Sequence, residues 1–105
     1  MAIHTADRNT FHDMISTDFV IVDFYGSTCT PCKVFSKILE DIEAEIPFLN
    51  IVKLNTTDNP EIATEYQISA VPTIQFFRDG KLLESHVGVM QPAEVKAAVA
   101  RYMYE

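Results

Sequence analysis

Three features of this 105-residue chain predict an α/β domain in three layers, a mixed parallel and antiparallel sheet with helices on both faces. A continuous apolar run, Phe19–Tyr25, leads into an amphipathic stretch and then into a second apolar run at residues 49–54. Strand, helix and strand at these lengths form a right-handed parallel crossover. Further on, residues 73–77 and Lys81–Val87 are separated by Arg78, Asp79 and Gly80, and Asp-Gly between apolar runs marks an antiparallel hairpin.

Each element has its own justification. Residues 2–5 supply a short first strand, and Asp7 is placed to cap a helix carrying Phe11, Met14 and Ile15 on one face, ending near residues 16–18. The run Phe19–Tyr25 is broken only by Asp23, the pattern of a central strand covered on both sides. Within residues 31–46, Phe35, Ile38, Leu39, Ile42 and Ile46 recur at helical spacing, while Lys33, Lys37, Glu40, Asp41 and Glu45 line the other side. Pro31 suits the first turn of that helix and Pro47 is expected to stop it. Its acidic C-terminal half opposes the helix dipole, so packing must hold it. Residues 55–59 are turn-like, Pro60 opens a short helix through Tyr66, and residues 67–71 lead into Pro72. Gly88 ends the hairpin, and Pro92 starts a last helix with Val95, Val99, Tyr102 and Met103 on one face. With no repeat, linker or low-complexity stretch, residues 1–105 read as one domain.

A chain of this size buries a core of its own without disulfides or metal, which frees its two cysteines for chemistry. Apolar residues make up 48%, enough to exclude disorder, and no apolar run approaches the roughly 18 residues of a membrane span. The first residues show neither a basic start nor an apolar core of signal-peptide length, so a soluble protein of the cytoplasm is expected. A net charge of -7 repels nucleic acid and anionic membrane alike, and leaves proteins as partners for a chain expected to be a monomer.

Cys29 and Cys32, three positions apart at the start of a helix, fall on the same side of its first turn, close enough for a disulfide to open and close. Thiolate is the reactive form, and the unpaired N–H groups of a helix N-terminus lower a thiol pKa. Cys29 is therefore expected to be the more exposed and acidic of the two, and Cys32 the more buried. In a reducing compartment a lone Cys-X-X-Cys is catalytic or metal-binding rather than a static staple. Metal is disfavoured, because there is no second cysteine pair and His4, His12 and His86 lack ligand spacing.

The chain resembles the thioredoxin family over nearly its whole length. VDF at residues 22–24, CTPC at 29–32, KLN at 53–55, NP at 59–60, Tyr66 with Ile68, VPT at 71–73 and DG at 79–80 follow one another in the family's order and spacing. The resemblance implies the thioredoxin fold and a dithiol-disulfide oxidoreductase that reduces disulfides in other proteins. No cofactor beyond the Cys29–Cys32 disulfide is implied, and a thioredoxin reductase, linked to NADPH or ferredoxin, would recharge it. Cys29 would attack the substrate disulfide and Cys32 would resolve the mixed disulfide. Asp23 matches the family's buried aspartate; in an apolar strand its pKa should be raised, suiting it to take the Cys32 proton through water. Lys53 lies where the family has a lysine near that aspartate. Pro72 matches the proline that follows a cis peptide bond beside the cysteines, and Val71 would offer its backbone to an extended substrate. Tyr25, Val71, Gly88 and Val89 would form an apolar docking surface, with Thr28, Thr30 and Pro31 bordering the cysteines.

The departures bear on function. The family usually reads WCGPC, whereas Thr28 stands here for the Trp, Thr30 for the Gly, and Tyr25 where another Trp is common. Residues beside the cysteines tune the dithiol potential, so a less reducing oxidant or isomerase-type exchanger is the alternative. A thioredoxin-fold binding module with incidental cysteines is a third reading, opposed by the presence of both cysteines, Asp23 and Pro72 together. Lys37 replaces a family proline within the helix, so the kink that proline causes should be weaker or absent.

Overall fold

In the computed structural model, which describes residues 3–46 and 48–103, alternation of apolar and polar side chains sorts the chain into five strands and four helices. They follow the order β1 (Ile3–Ala6), α1 (Phe11–Ile15), β2 (Phe19–Tyr25), α2 (Thr30–Glu45), β3 (Asn50–Asn55), α3 (Pro60–Glu65), β4 (Thr73–Arg78), β5 (Lys81–Val87) and α4 (Pro92–Met103). Two expectations, Ala2 as part of the first strand and Pro47 as the stop of α2, lie outside the described residues.

The sheet order is β1-β3-β2-β4-β5, with β1, β3 and β2 parallel and β4 and β5 antiparallel to their neighbours. Successive side chains of a strand point to opposite faces, so two cores form. On one face Phe19, Ile21, Ile51, Ile74 and Phe76 meet Phe35, Leu39 and Ile42 of α2 and Val95, Ala98 and Val99 of α4. On the other, Val20, Val22, Phe24, Val52, Leu54 and Phe77 meet Phe11 and Ile15 of α1 and Ile62 of α3. Full burial of one such side chain stabilises the fold by roughly 1.5–3 kcal/mol.

Local chemistry sets the ends of the elements. Asp7 caps a turn earlier than expected: its Oδ1 accepts from the backbone N–H of Asn9 at 2.8 Å and of Thr10 at 3.1 Å, while Thr10 occupies the N-cap of α1 and turns its hydroxyl back to Asp7 rather than to the helix. The turn between β4 and β5 needs two residues of positive φ, and Asp79 (51°) and Gly80 (82°) supply them between the paired Arg78 and Lys81. Helix α2 runs unbroken through Lys37, and Lys96 of α4 reaches its acidic end to pair with Glu45 at 2.5 Å. That charge offsets the unfavourable alignment of Glu45 with the helix dipole. The last turn of α4 is tied to the hairpin: Arg78 donates to the Tyr102 carbonyl, and Tyr102 and Arg101 both donate to Glu84 Oε1, at 2.8 and 2.9 Å. Those donors hold the Glu84 carboxyl below its usual range, the Tyr102 hydroxyl first among them. Among the described residues no helix is long and apolar enough to cross a membrane.

Candidate redox site

β2 ends at Tyr25, and a four-residue loop carries the chain into α2. Hydrogen bonds from and to the segment after β3 hold that loop. Thr56 donates its N–H and its hydroxyl to the Tyr25 carbonyl at 2.8 and 2.9 Å, Ser27 N–H donates to Thr57 Oγ1 at 3.1 Å, and Asn55 Nδ2 donates to Ser27 Oγ at 3.2 Å. Gly26 permits a close approach: a Cβ there would stand 3.3 Å from Val71 Cγ2 and 3.8 Å from Cys29 Cβ.

Cys29 is the N-cap of α2, whose first residue, Thr30, is one ahead of the expected Pro31, and is joined to Cys32 by a disulfide with Cα atoms 5.2 Å apart. Cys29 Sγ accepts from the Cys32 N–H at 3.3 Å, so a free N–H of the first turn points at this sulfur. No acidic residue lies in that turn to oppose a negative charge. Cys29 is half-buried, whereas Cys32 is 4% exposed. The arrangement stabilises a thiolate at Cys29 and gives an incoming sulfur access to it first.

The start of β4 comes back beside the end of β2, with Phe24 paired to Thr73. Cys29 Sγ consequently lies 3.8 Å from the Val71 carbonyl oxygen. In the disulfide that sulfur has no proton and the approach is a contact; the reduced thiol has one to donate. The Val71–Pro72 peptide bond is cis, and Pro72 is buried. The Gly88 N–H donates to the Pro72 carbonyl at 2.8 Å and the Thr73 hydroxyl donates to the Ala70 carbonyl at 2.6 Å.

Asp23 points to the α2 and α4 side of β2, fully buried, and neither carboxylate oxygen has a hydrogen-bond partner in the protein. Burial raises its pKa from 3.8 to about 6, with the nearby positive charge of Lys53 pulling the other way. Lys53 is the register partner of Asp23 on β3, yet its ammonium donates to the Ser36 hydroxyl and lies 5.0 Å from the centre of the Tyr25 ring. A cleft of about 310 Å³ brings Tyr25, Cys29, Cys32, Ser36 and Lys53 together.

The other expected site residues surround this group unevenly. The Val71 carbonyl lies beside Cys29, with cis-Pro72 next in the chain, and Thr28, Thr30 and Pro31 are exposed. Gly88 has positive φ (98°) and open space where a side chain would be. Val89, expected on the docking surface, is half-buried, and its side chain packs against the α2 and α4 core, next to buried Met90. Val87, 62% exposed, offers apolar surface nearby in the chain. Sequence reasoning missed Ser36 and Gly26. For Ser36 a signal existed, because it follows Cys32 by four positions and so shares its helix face. Among the described residues no cluster of three or more His, Cys, Asp or Glu could hold a metal ion.

A cysteine pair at a helix N-terminus, opposed by a cis-proline loop at one end of a mixed sheet, defines a domain for thiol-disulfide exchange. The thioredoxin family model matches residues 2–101. The chain is 31% identical over 100 residues to a thioredoxin of Chlamydia muridarum, covering 95% of this chain and 98% of that one. It is 35% identical over 98 residues to an M-type chloroplastic thioredoxin of Chlamydomonas reinhardtii, covering 90% and 70%. A solved thioredoxin of Malassezia sympodialis superposes with a TM-score of 0.83 at 27% identity, covering 95% of this chain and 90% of that one. The chain belongs to the thioredoxin family. Its activity is protein dithiol-disulfide oxidoreduction, and its redox group is a disulfide of its own cysteines. The family's general partners are a thioredoxin reductase and proteins that carry disulfides.

Proposed function

We propose that residues 1–105 act as one reducing domain in which Cys29 is the nucleophile and Cys32 the resolving thiol. The half-exposed sulfur of Cys29 at the N-cap of α2, with Cys32 buried behind it, is the observation that carries this reading. The Cys29 thiolate attacks one sulfur of a substrate disulfide and the other substrate sulfur leaves as a thiolate. Asp23 takes the Cys32 proton through water. The Cys32 thiolate then attacks Cys29 Sγ, the second substrate thiolate departs, and the protein is left oxidised while the substrate is reduced. A reductase linked to NADPH or ferredoxin returns the two electrons. Val71 and cis-Pro72 align an extended substrate beside Cys29; Tyr25, Thr28, Thr30, Pro31, Gly88 and Val89 shape the docking rim, and Lys53 is the charge in the surroundings of Asp23. The protein works as a monomer in the cytoplasm, where thiols are kept reduced.

The test is a trap. Cys32→Ser accumulates mixed disulfides through Cys29 when mixed with a disulfide-bonded protein, seen as a higher band that reductant removes. Capture on Cys32 in the Cys29→Ser variant instead would reverse the two roles. Equilibration with glutathione gives the direction of electron flow: a potential near roughly -270 mV supports the reductase, and one near roughly -180 mV replaces it with an oxidant or isomerase.

A further inference from the structure

We propose that Ser36 is a positioning residue for this reaction: its hydroxyl, with the face of Tyr25, holds the Lys53 ammonium away from the buried Asp23 carboxyl. The proposal rests on the reading of Asp23 as the group that takes the Cys32 proton.

Parallel pairing of β2 and β3 sets Asp23 and Lys53 directly opposite one another on the same face of the sheet. A lysine in that register has a stem long enough to turn to a carboxylate beside it, and a buried carboxylate is a strong attractor. The ammonium goes elsewhere. It donates to Ser36 Oγ at 2.5 Å and lies over the Tyr25 ring at 5.0 Å, while both Asp23 oxygens are left without a partner. Ser36 is in the middle of α2, where a serine ordinarily bonds back to its own helix or faces water. Here it reaches across to β3, on the face that Cys32 shares.

The groups around Asp23 make this diversion consequential. From β3 the facing charge is Lys53; from β4 the register partner is Ile74, and from α4 the packed face is Val95, Ala98 and Val99, none of them charged. From α2 come Cys32, Lys33 and Ser36, and Glu40 and Glu43 line an adjoining cleft of about 340 Å³ together with Ser36 and Lys53. Tyr25 is the titratable neighbour on β2 itself. Lys53 is thus the charge that acts on Asp23. A carboxylate locked to an ammonium holds a proton poorly. Kept unpaired in the same apolar surroundings, it can take a proton and return it near neutral pH.

The test follows the Asp23 carboxyl by carbon-13 NMR through a pH titration of the oxidised protein. Ser36→Ala is expected to lower the Asp23 pKa by about half a pH unit or more, because Lys53 is released toward it. Ser36→Thr, which keeps the hydroxyl, restores the wild-type titration, and Ser36→Ala has no effect in a Lys53→Met background. The pH at half-maximal rate of mixed-disulfide resolution moves with the carboxyl. An Asp23 titration that Ser36→Ala leaves in place, or raises, overturns the positioning role. The Asp23 reading fails separately, when Asp23→Asn leaves the rate of resolution unchanged, and that result removes the catalytic consequence of Ser36 whatever the titration shows.

Discussion

On the side of β2 that faces α1 and α3, Val20, Val22 and Phe24 form an unbroken apolar row, whereas the side facing α2 and α4 carries Phe19, Ile21 and then Asp23. All six side chains are buried, so both faces are closed to bulk solvent. The outcome differs because the groups do. Exclusion of water stabilises the fold through Phe24 and destabilises the charged form of Asp23, so one strand serves as core and as the seat of a perturbed acid. The chemistry is set into the scaffold at a place where hydrocarbon would hold it better.

The largest effect that sharpens this contrast comes from the apolar face. Phe24→Ala removes a ring packed 5.7 Å from that of Phe11 and 6.3 Å from that of Tyr66, and should lower unfolding free energy by about 3–5 kcal/mol. Urea denaturation at several pH values should show the same loss throughout. Asp23→Asn should act in the opposite sense and only in part of the pH range. The folded-state pKa of about 6 stands above the ordinary 3.8, so wild-type stability is complete below about pH 4 and falls as pH rises through 6. By pH 7.5 the loss is about 3 kcal/mol, and the variant should exceed the wild type there by up to that amount, the two converging near pH 4. Equal stability of the two proteins at pH 7.5 would break the comparison.

Smaller effects follow at the site's edge. Gly26→Ala pushes a methyl against Val71 Cγ2 but also reduces the freedom of the unfolded chain, so stability should change by less than about 1 kcal/mol. Displacement of Val71 should appear instead in the rate of mixed-disulfide formation, measured by stopped flow, which should fall while resolution stays constant. Lys37→Ala breaks an exposed pair with Asp41 and should alter the denaturation midpoint by no more than a few tenths of a kcal/mol in free energy.

What was legible in the sequence is what local chemistry dictates. The apolar run of β2, broken only by Asp23, the helical spacing of Phe35, Leu39 and Ile42, and the demand of Asp79 and Gly80 for positive φ each act over a few residues, and the structure repeats them. The thioredoxin fold itself became readable because several such motifs fall in one order. The contact between Ser36 and Lys53 was not readable, because it joins a helix to a strand 17 residues away and depends on which way a lysine turns. The packing of Val89 was hidden for a related reason: how far a lone valine after a hairpin turns toward the core depends on elements distant from it in the chain. Asp7 shows the limit at short range, since a capping residue can serve any of several consecutive turns.

The strand order has a consequence for how the molecule opens. β1 and β5 are the outermost strands and each has one neighbour, whereas β2 is paired on both sides, to β3 and to β4. Amide hydrogens of β2 should therefore exchange with solvent last, through global rather than edge opening. Cys29 hangs from the end of that strand. Fluctuations that peel β5 or β1 leave it in register, and the protein can loosen its borders around a bulky partner while the reacting sulfur keeps its aim.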